Sequence, residues 1–158
     1  MSDTLDAIVR LAAAVIAGMA IGLDRDLRGK PVGMRTLGLV GLAAALVTMA
    51  SVDFVEHAVD MNPVSRVIQG VLTGIGFMGA GVIARDGSSG TVTGLTTAAS
   101  VWVTAAIGVV CGLGAWVIVG VASVFALAIL ILGGRLEDWS RRWVGRRERE
   151  QGRLPGGE

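Results

Sequence analysis

The stretch that decides the fold is VIQGVLTGIGFMGAGVIA, residues 67–84, an apolar run of a membrane span's length with a glycine pattern inside it. Its residues 74–79, GIGFMG, formally match the G-x-G-x-x-G pattern of dinucleotide-binding loops. That loop needs a preceding strand and an acidic residue about 20 positions further on, where this chain has GLTTAASVW. The glycines therefore indicate helix packing and not nucleotide binding.

Glycines four residues apart allow helix backbones to approach closely in lipid. Gly70 and Gly74 form such a pair in this stretch, and other apolar segments carry Gly18 with Gly22 and Gly108 with Gly112. The cluster at residues 79–81 leaves two alternatives open, since it either packs against a neighbour or breaks the helix.

The whole chain has a membrane-protein composition, because 53% of its 158 residues are hydrophobic and 24 are glycine. A spanning helix needs about 20 mostly apolar residues. Five segments qualify: Leu5–Leu23, Leu37–Val55, Val67–Ala84, Thr96–Leu113 and Ala115–Gly134. We therefore predict an all-α integral membrane protein, a five-helix transmembrane bundle over residues 1–134. Residues 135–158 are predicted to form a cytoplasmic, basic, amphipathic tail with a disordered end.

Basic residues indicate the orientation, since Lys and Arg near span ends stay in the cytoplasm. Twelve of the 14 follow the first, third or fifth span, and Arg10 and Arg66 are the exceptions. The N-terminus is therefore predicted outside and the C-terminus in the cytoplasm. The formal net charge of +1 gives no reason to expect nucleic acid as a partner.

The segment GLDRDLRGKPVGMRT, residues 22–36, is the main candidate for function. Asp24, Arg25 and Asp26 lie where the first span ends, and ionisable groups at that depth are costly unless they are paired or face a polar cavity. Interfacial snorkelling with local ion pairing is the simpler alternative. Lys30-Pro31 with Gly33 predicts a turn that returns the chain to the membrane.

Three blocks together resemble the N-terminal membrane domain of the MgtC/SapB family. They are residues 22–36, residues 70–87 (GVLTGIGFMGAGVIARDG) and residues 94–114 (GLTTAASVWVTAAIGVVCGLG). The chain departs from the family in carrying Asp24 where members typically carry Glu, and it is too short for the cytoplasmic C-terminal domain of some members. Matching positions are Asp24, Arg25, Gly33, Arg35, Thr36, Gly74, Gly76, Gly79, Gly81, Gly94, Thr96 and Thr97.

The resemblance implies a multi-pass protein of the bacterial inner membrane, linked to magnesium limitation and acid stress. In pathogens the family is linked to survival inside macrophages, in some cases by restraining the F-type ATP synthase. Self-association and the F-type ATP synthase are the partners to be expected besides the bilayer. An enzyme is not expected, because the sequence lacks a nucleophile motif, a phosphate loop and a Cys/His metal cluster.

Thr93, Thr97, Ser100 and Thr104 follow helical spacing and give the predicted fourth helix one small and hydroxylated face. Gly94 and Thr96 are assigned to the same face. We favour hydroxyls that bond a neighbouring helix or their own turn, and a polar face lining a cavity is the alternative. Asp24, Asp26 and Asp86 fall on one side of the membrane and supply the oxygen ligands that magnesium prefers, although nearby arginines could neutralise them instead.

Two functions compete on these grounds. The first is a regulatory or accessory membrane protein that acts through partners in magnesium homeostasis or stress adaptation. The second is a small magnesium transporter or channel with Asp24, Asp26 and Asp86 beside a polar path. We favour the first, because no carboxylate lies at mid-membrane in the predicted spans.

Overall fold

The computed structural model describes residues 2–55, 62–85 and 92–151. This part of the chain forms five helices: α1 (Ser2–Leu27), α2 (Met34–Val55), α3 (Asn62–Val82), α4 (Leu95–Gly112) and α5 (Trp116–Gln151). Two short strands, β1 (Ala84–Arg85) and β2 (Val92–Thr93), pair antiparallel between α3 and α4. The all-helical prediction is thus confirmed, with a small hairpin that the sequence did not indicate.

Helices α1, α2 and α4 form the tightly packed centre of the molecule. A Cβ at Gly41 would lie 2.6 Å from the carbonyl oxygen of Ala14, and one at Gly108 would lie 2.5 Å from that of Gly41. Glycine at these positions lets the backbones approach to distances that a side chain would prevent. The interior between them is lined mainly by Ala14, Ile21, Leu37, Ala45, Val101, Ala105 and Cys111.

Helices α3 and α5 lie outside this centre. Only 6% of the apolar part of α5 is buried within the chain, against 56% for α4. α3 packs on α4 and more weakly on α2. The backbone of α3 is continuous through residues 79–81, so the glycine cluster does not break it.

In the described part of the chain, four helices are long and apolar enough to cross a membrane: α1, α2, α4 and α5. The predicted third span, residues 67–84, differs in its bounds from the helix that contains most of it. The helix begins five residues earlier at Asn62, which adds the polar residues Ser65 and Arg66, and it ends at Val82, which places Ala84 in β1. α3 therefore has the length of a span but not the apolarity of the other four.

The remaining boundaries differ in ways that affect the candidate site. α1 continues through Leu27, so Asp24, Arg25 and Asp26 belong to its last turns and do not lie beyond its end. The chain turns between Leu27 and Met34, as Lys30-Pro31 with Gly33 predicted. α5 is unbroken at Gly134, so the predicted tail starts as a continuation of this helix, and its end at residues 152–158 lies outside the described residues.

Candidate functional site

The charged end of α1, together with the turn into α2, forms a rim over the start of α4. Asp24 and Arg28 are one helical turn apart, and the Arg28 Nε lies 3.0 and 3.1 Å from the two Asp24 carboxylate oxygens. The Nη2 of Arg28 also donates to the Ile131 carbonyl of α5 at 3.4 Å. Arg28 therefore connects the rim to α5 and neutralises Asp24. For these two residues the structure agrees with the simpler alternative, local ion pairing.

Asp26 stabilises the beginning of α2. Its Oδ2 accepts a hydrogen bond from the backbone N–H of Met34 at 3.0 Å, and α2 has no acidic residue in its own first turn. A carboxylate near a helix N-terminus is favourable because the first N–H groups have no partner within the helix. The Asp26 carboxylate also fills the space that a side chain at Gly33 would need, which gives Gly33 a steric role.

Arg25 points into the protein. Its side chain is only 3% exposed, and its Nη2 donates to the hydroxyl of Thr97 on α4. Its carbonyl accepts from the backbone N–H of Lys30 at 3.0 Å. A buried guanidinium is costly to desolvate, so this contact between α1 and α4 is the most demanding electrostatic feature of the rim.

A polar cavity of about 480 Å³ opens beside this contact, between the end of α1, the start of α4 and α5. Its charged lining residues are Asp24, Arg25, Arg28 and Lys30. The start of α4 contributes Gly94, Leu95, Thr96 and Thr97, and α5 contributes Ile129, Leu130, Gly133 and Gly134. Three cationic side chains against one carboxylate give this lining a formal charge of +2.

The hydroxyl groups of α4 do not form one polar face. Ser100 and Thr104 donate to carbonyls of their own helix, those of Thr96 and Ser100, each at 2.8 Å. Both bonds agree with the favoured interpretation, in which each hydroxyl donates to a carbonyl of its own helix. Thr97 bonds Arg25 instead, and Thr96 is exposed. Thr93, predicted on the same helix face, lies in β2 and not in α4.

Gly94 has a structural requirement of its own, with a φ of 88° at the start of α4. This left-handed conformation favours glycine, and a Cβ there would also collide with the carbonyl oxygen of Val82. Gly94 therefore lets the hairpin pass close to the end of α3.

The predicted glycine block of α3 packs at one position among the described residues. A Cβ at Gly79 would lie 3.6 Å from that of Ala98, whereas Gly74, Gly76 and Gly81 have no described atom within 4 Å of that position. For these three positions the described residues show no close backbone approach, so their role in packing stays a prediction. Gly70 and Gly74 line an apolar groove beside α2, which Thr36 also lines, and Arg35 is exposed nearby.

Two of the three predicted magnesium ligands are described, and each has a different partner. Asp24 pairs with Arg28 and Asp26 caps α2, whereas Asp86 lies outside the described residues. Within residues 2–55, 62–85 and 92–151, no three His, Cys, Asp or Glu residues form a possible metal site.

Two arginines acquire roles that the sequence interpretation missed. Arg28 links the rim to α5, and Arg10 holds the opposite end of the bundle. Arg10 pairs with Asp6 at 2.6 Å and donates from Nη1 to the Gly112 carbonyl at 2.8 Å, where α4 ends. Asp6 with Arg10 and Asp24 with Arg28 are each four residues apart, the second pair at the end of α1, and this spacing in the sequence is typical of an ion pair on a helix.

Comparison with known proteins identifies the family. Residues 11–139 match the family model described as the MgtC family. The chain is 39% identical to Protein SrpB of Synechococcus elongatus over 89% of its own length and 82% of that protein. It is 42% identical to "Putative magnesium transporter YhiD" of Escherichia coli K12, with 80% of this chain and 60% of that protein covered.

It is also 42% identical to Protein MgtC of Salmonella typhimurium LT2 over 68% of this chain, but only 43% of that protein. The chain thus spans about half the length of some relatives and most of the length of another. No solved structure matches it. Four apolar helices together with these matches make it a membrane protein, and the chain belongs to the MgtC family, as the three sequence blocks indicated.

Proposed function

We propose that this protein is a regulatory or accessory component of magnesium homeostasis, or of adaptation to acid and low-magnesium stress, in the bacterial inner membrane. Its membership in the MgtC family and its similarity to a protein named a magnesium transporter support the link to magnesium. Because several relatives are much longer, activities that reside in their additional segments are not proposed for this chain.

We propose five crossings, with the N-terminus outside and the C-terminus in the cytoplasm. The distribution of basic residues supports this orientation. Four crossings would leave both termini on one side, so the path of α3 decides the topology. Its 21 residues correspond to about 31 Å of helix, close to the hydrocarbon thickness of a bilayer, and its packing against α4 supports a full crossing.

The charge of the rim cavity is the observation that favours regulation over transport. A cation path needs oxygen ligands that are available to the ion. Here Asp24 is held by Arg28, and Arg25 and Lys30 line the same cavity. A magnesium ion entering it would meet three positive side chains and one carboxylate that is already paired.

Partner binding is proposed to use the outer helices. The small-residue row of Gly70 and Gly74 on α3 faces an open groove, and such rows support close helix pairing in lipid. A second copy of the chain is the first partner to test. The F-type ATP synthase is the second, because some members of the family are linked to it.

A transporter is the alternative function, and the name of the YhiD relative favours it. Magnesium flux into liposomes containing the purified full chain separates the two functions. Regulation predicts no saturable flux above that of protein-free liposomes. Transport predicts saturable flux that Asp24→Asn abolishes and that Asp24→Glu, which retains the charge, preserves. Such a result would overturn the regulatory proposal.

A further inference from the structure

The lining of the rim cavity suits an anion better than a cation. Arg25, Arg28 and Lys30 contribute three positive charges, and Asp24 contributes one negative charge. The cavity is partly open to the exterior, and its volume of about 480 Å³ is far larger than a single water requires. A charged group of several atoms can therefore enter it.

The start of α4 adds a second source of positive potential. Residues 94–97 line the cavity, and no described side chain caps the helix at Gly94. The first N–H groups of an α-helix have no partner within the helix, and the helix dipole places partial positive charge there. Helix N-termini of this kind bind phosphate and other oxyanions.

Arg25 is the buried cation of this lining. The side chain is 97% buried and lines the cavity, and its Nη2 donates to Thr97. A buried guanidinium is costly to desolvate, and an oxyanion in the cavity would offset part of that cost through its charge.

We propose that this cavity binds a phosphate group. Arg25 and Arg28 donate to its oxygens, Lys30 adds charge at the entrance, and the N-terminus of α4 faces it. The site is separate from the magnesium role and does not rest on it, since its evidence is the arrangement of positive groups alone.

An adjoining apolar groove favours a membrane lipid as the carrier of that phosphate. Ile129, Leu130 and Thr96 line both the polar cavity and a smaller cavity of about 120 Å³. The smaller cavity continues along α4 and α5 past Ser100, Val103 and Ala126, and towards Ile21 one turn before Arg25. The polar cavity therefore lies at the end of the apolar span Asp3–Leu27, at headgroup depth, with apolar space beneath it for an acyl chain.

Titration calorimetry on the purified full chain in micelles of an uncharged detergent tests the proposal. The probes are inorganic phosphate, a short-chain phosphatidic acid, and a phosphatidylcholine with the same acyl chains. Lys30→Gln removes one charge from an exposed residue of the cavity, so we expect the variant to fold as the natural chain does. Arg135→Gln is the matched control, because Arg135 is exposed, follows Gly134 directly and does not line the cavity.

We expect saturable binding of the phosphatidic acid that Lys30→Gln weakens about fivefold and Arg135→Gln leaves unchanged. Arg25→Gln should abolish it, provided that its melting profile shows a folded protein. The same pattern with inorganic phosphate would also support the phosphate site and would make the ligand a soluble one. The proposal is overturned if neither phosphate probe binds, if phosphatidylcholine binds as tightly, or if the two single-charge variants lose equal affinity.

Discussion

Gly108→Ala tests the close approach of α2 and α4, on which the centre of the fold depends. A Cβ at this position would lie 2.5 Å from the carbonyl oxygen of Gly41 and 2.9 Å from the Cβ of Ala44. Ordinary contact begins at 3.4 Å. The two helices must therefore move apart locally by roughly 0.9 Å, which weakens many of the dispersion contacts between them.

The size of the effect follows from two opposing contributions. Overpacking of this kind costs about 1–3 kcal/mol. Alanine gains up to about 1 kcal/mol over glycine in intrinsic helix propensity. Gly76→Ala is the matched control, because it makes the same chemical change in α3 with no described atom within 4 Å of the new Cβ. The two variants should thus differ by about 1–3 kcal/mol, with Gly76→Ala as stable as the natural chain or slightly more stable.

Reversible unfolding in mixed micelles, followed by far-ultraviolet circular dichroism, measures this difference. Gly120→Ala on α5 provides a second control, since no described atom lies within 4 Å of its added Cβ either. Equal unfolding free energies for the variants at positions 108, 76 and 120 would refute the packing of α2 against α4 described above.

Three further variants test other contacts by the same unfolding measurement or by association. Thr97→Val removes the hydroxyl that accepts from the buried Arg25 and should cost about 1.5–3 kcal/mol, whereas Thr97→Ser should retain most of the stability. Equal losses would show that the hydroxyl contributes little. Arg10→Gln loses the charged bond to the Gly112 carbonyl and the pair with Asp6, so we expect a loss of about 1–2 kcal/mol. A variant as stable as the natural chain would contradict that role. Gly74→Ile should reduce self-association in analytical ultracentrifugation in detergent without lowering stability, because its position is open in the monomer. Unchanged association would exclude this face as the contact.

The number and type of helices could be predicted because apolar segments of about 20 residues are a strong and local signal. Their ends could not be predicted with the same accuracy. α1 continues through three charged residues, and Arg28 pairs with Asp24 one turn earlier, an arrangement that a hydropathy argument does not detect. α3 begins in the polar residues of 62–66, so its apolar part is shorter than the helix itself.

The candidate site was predicted in its location but not in its arrangement. The charged block at residues 24–36 identified the rim, and the helical spacing of α4 identified Thr97. Which partner each charge takes depends on tertiary contacts between distant residues, such as Arg25 with Thr97 and Arg28 with the Ile131 carbonyl. Glycines at the same spacing also differ in their surroundings. A Cβ at Gly108 would lie 2.5 Å from the carbonyl oxygen of Gly41, whereas a Cβ at Gly74 would have no described atom within 4 Å.

The N-termini of α2 and α4 both lie near the charged end of α1, but they differ in how they are capped. The start of α2 receives the Asp26 carboxylate, which is what a helix N-terminus needs for stability. The start of α4 has a glycine without a side-chain cap, and arginine lies beside it. Stability alone would favour an acidic residue there, since arginine opposes the helix dipole and loses hydration on burial. An arrangement that lowers stability at one helix end while a neighbouring end is properly capped is typical of a binding site, and it supports the rim cavity as the functional centre of the protein.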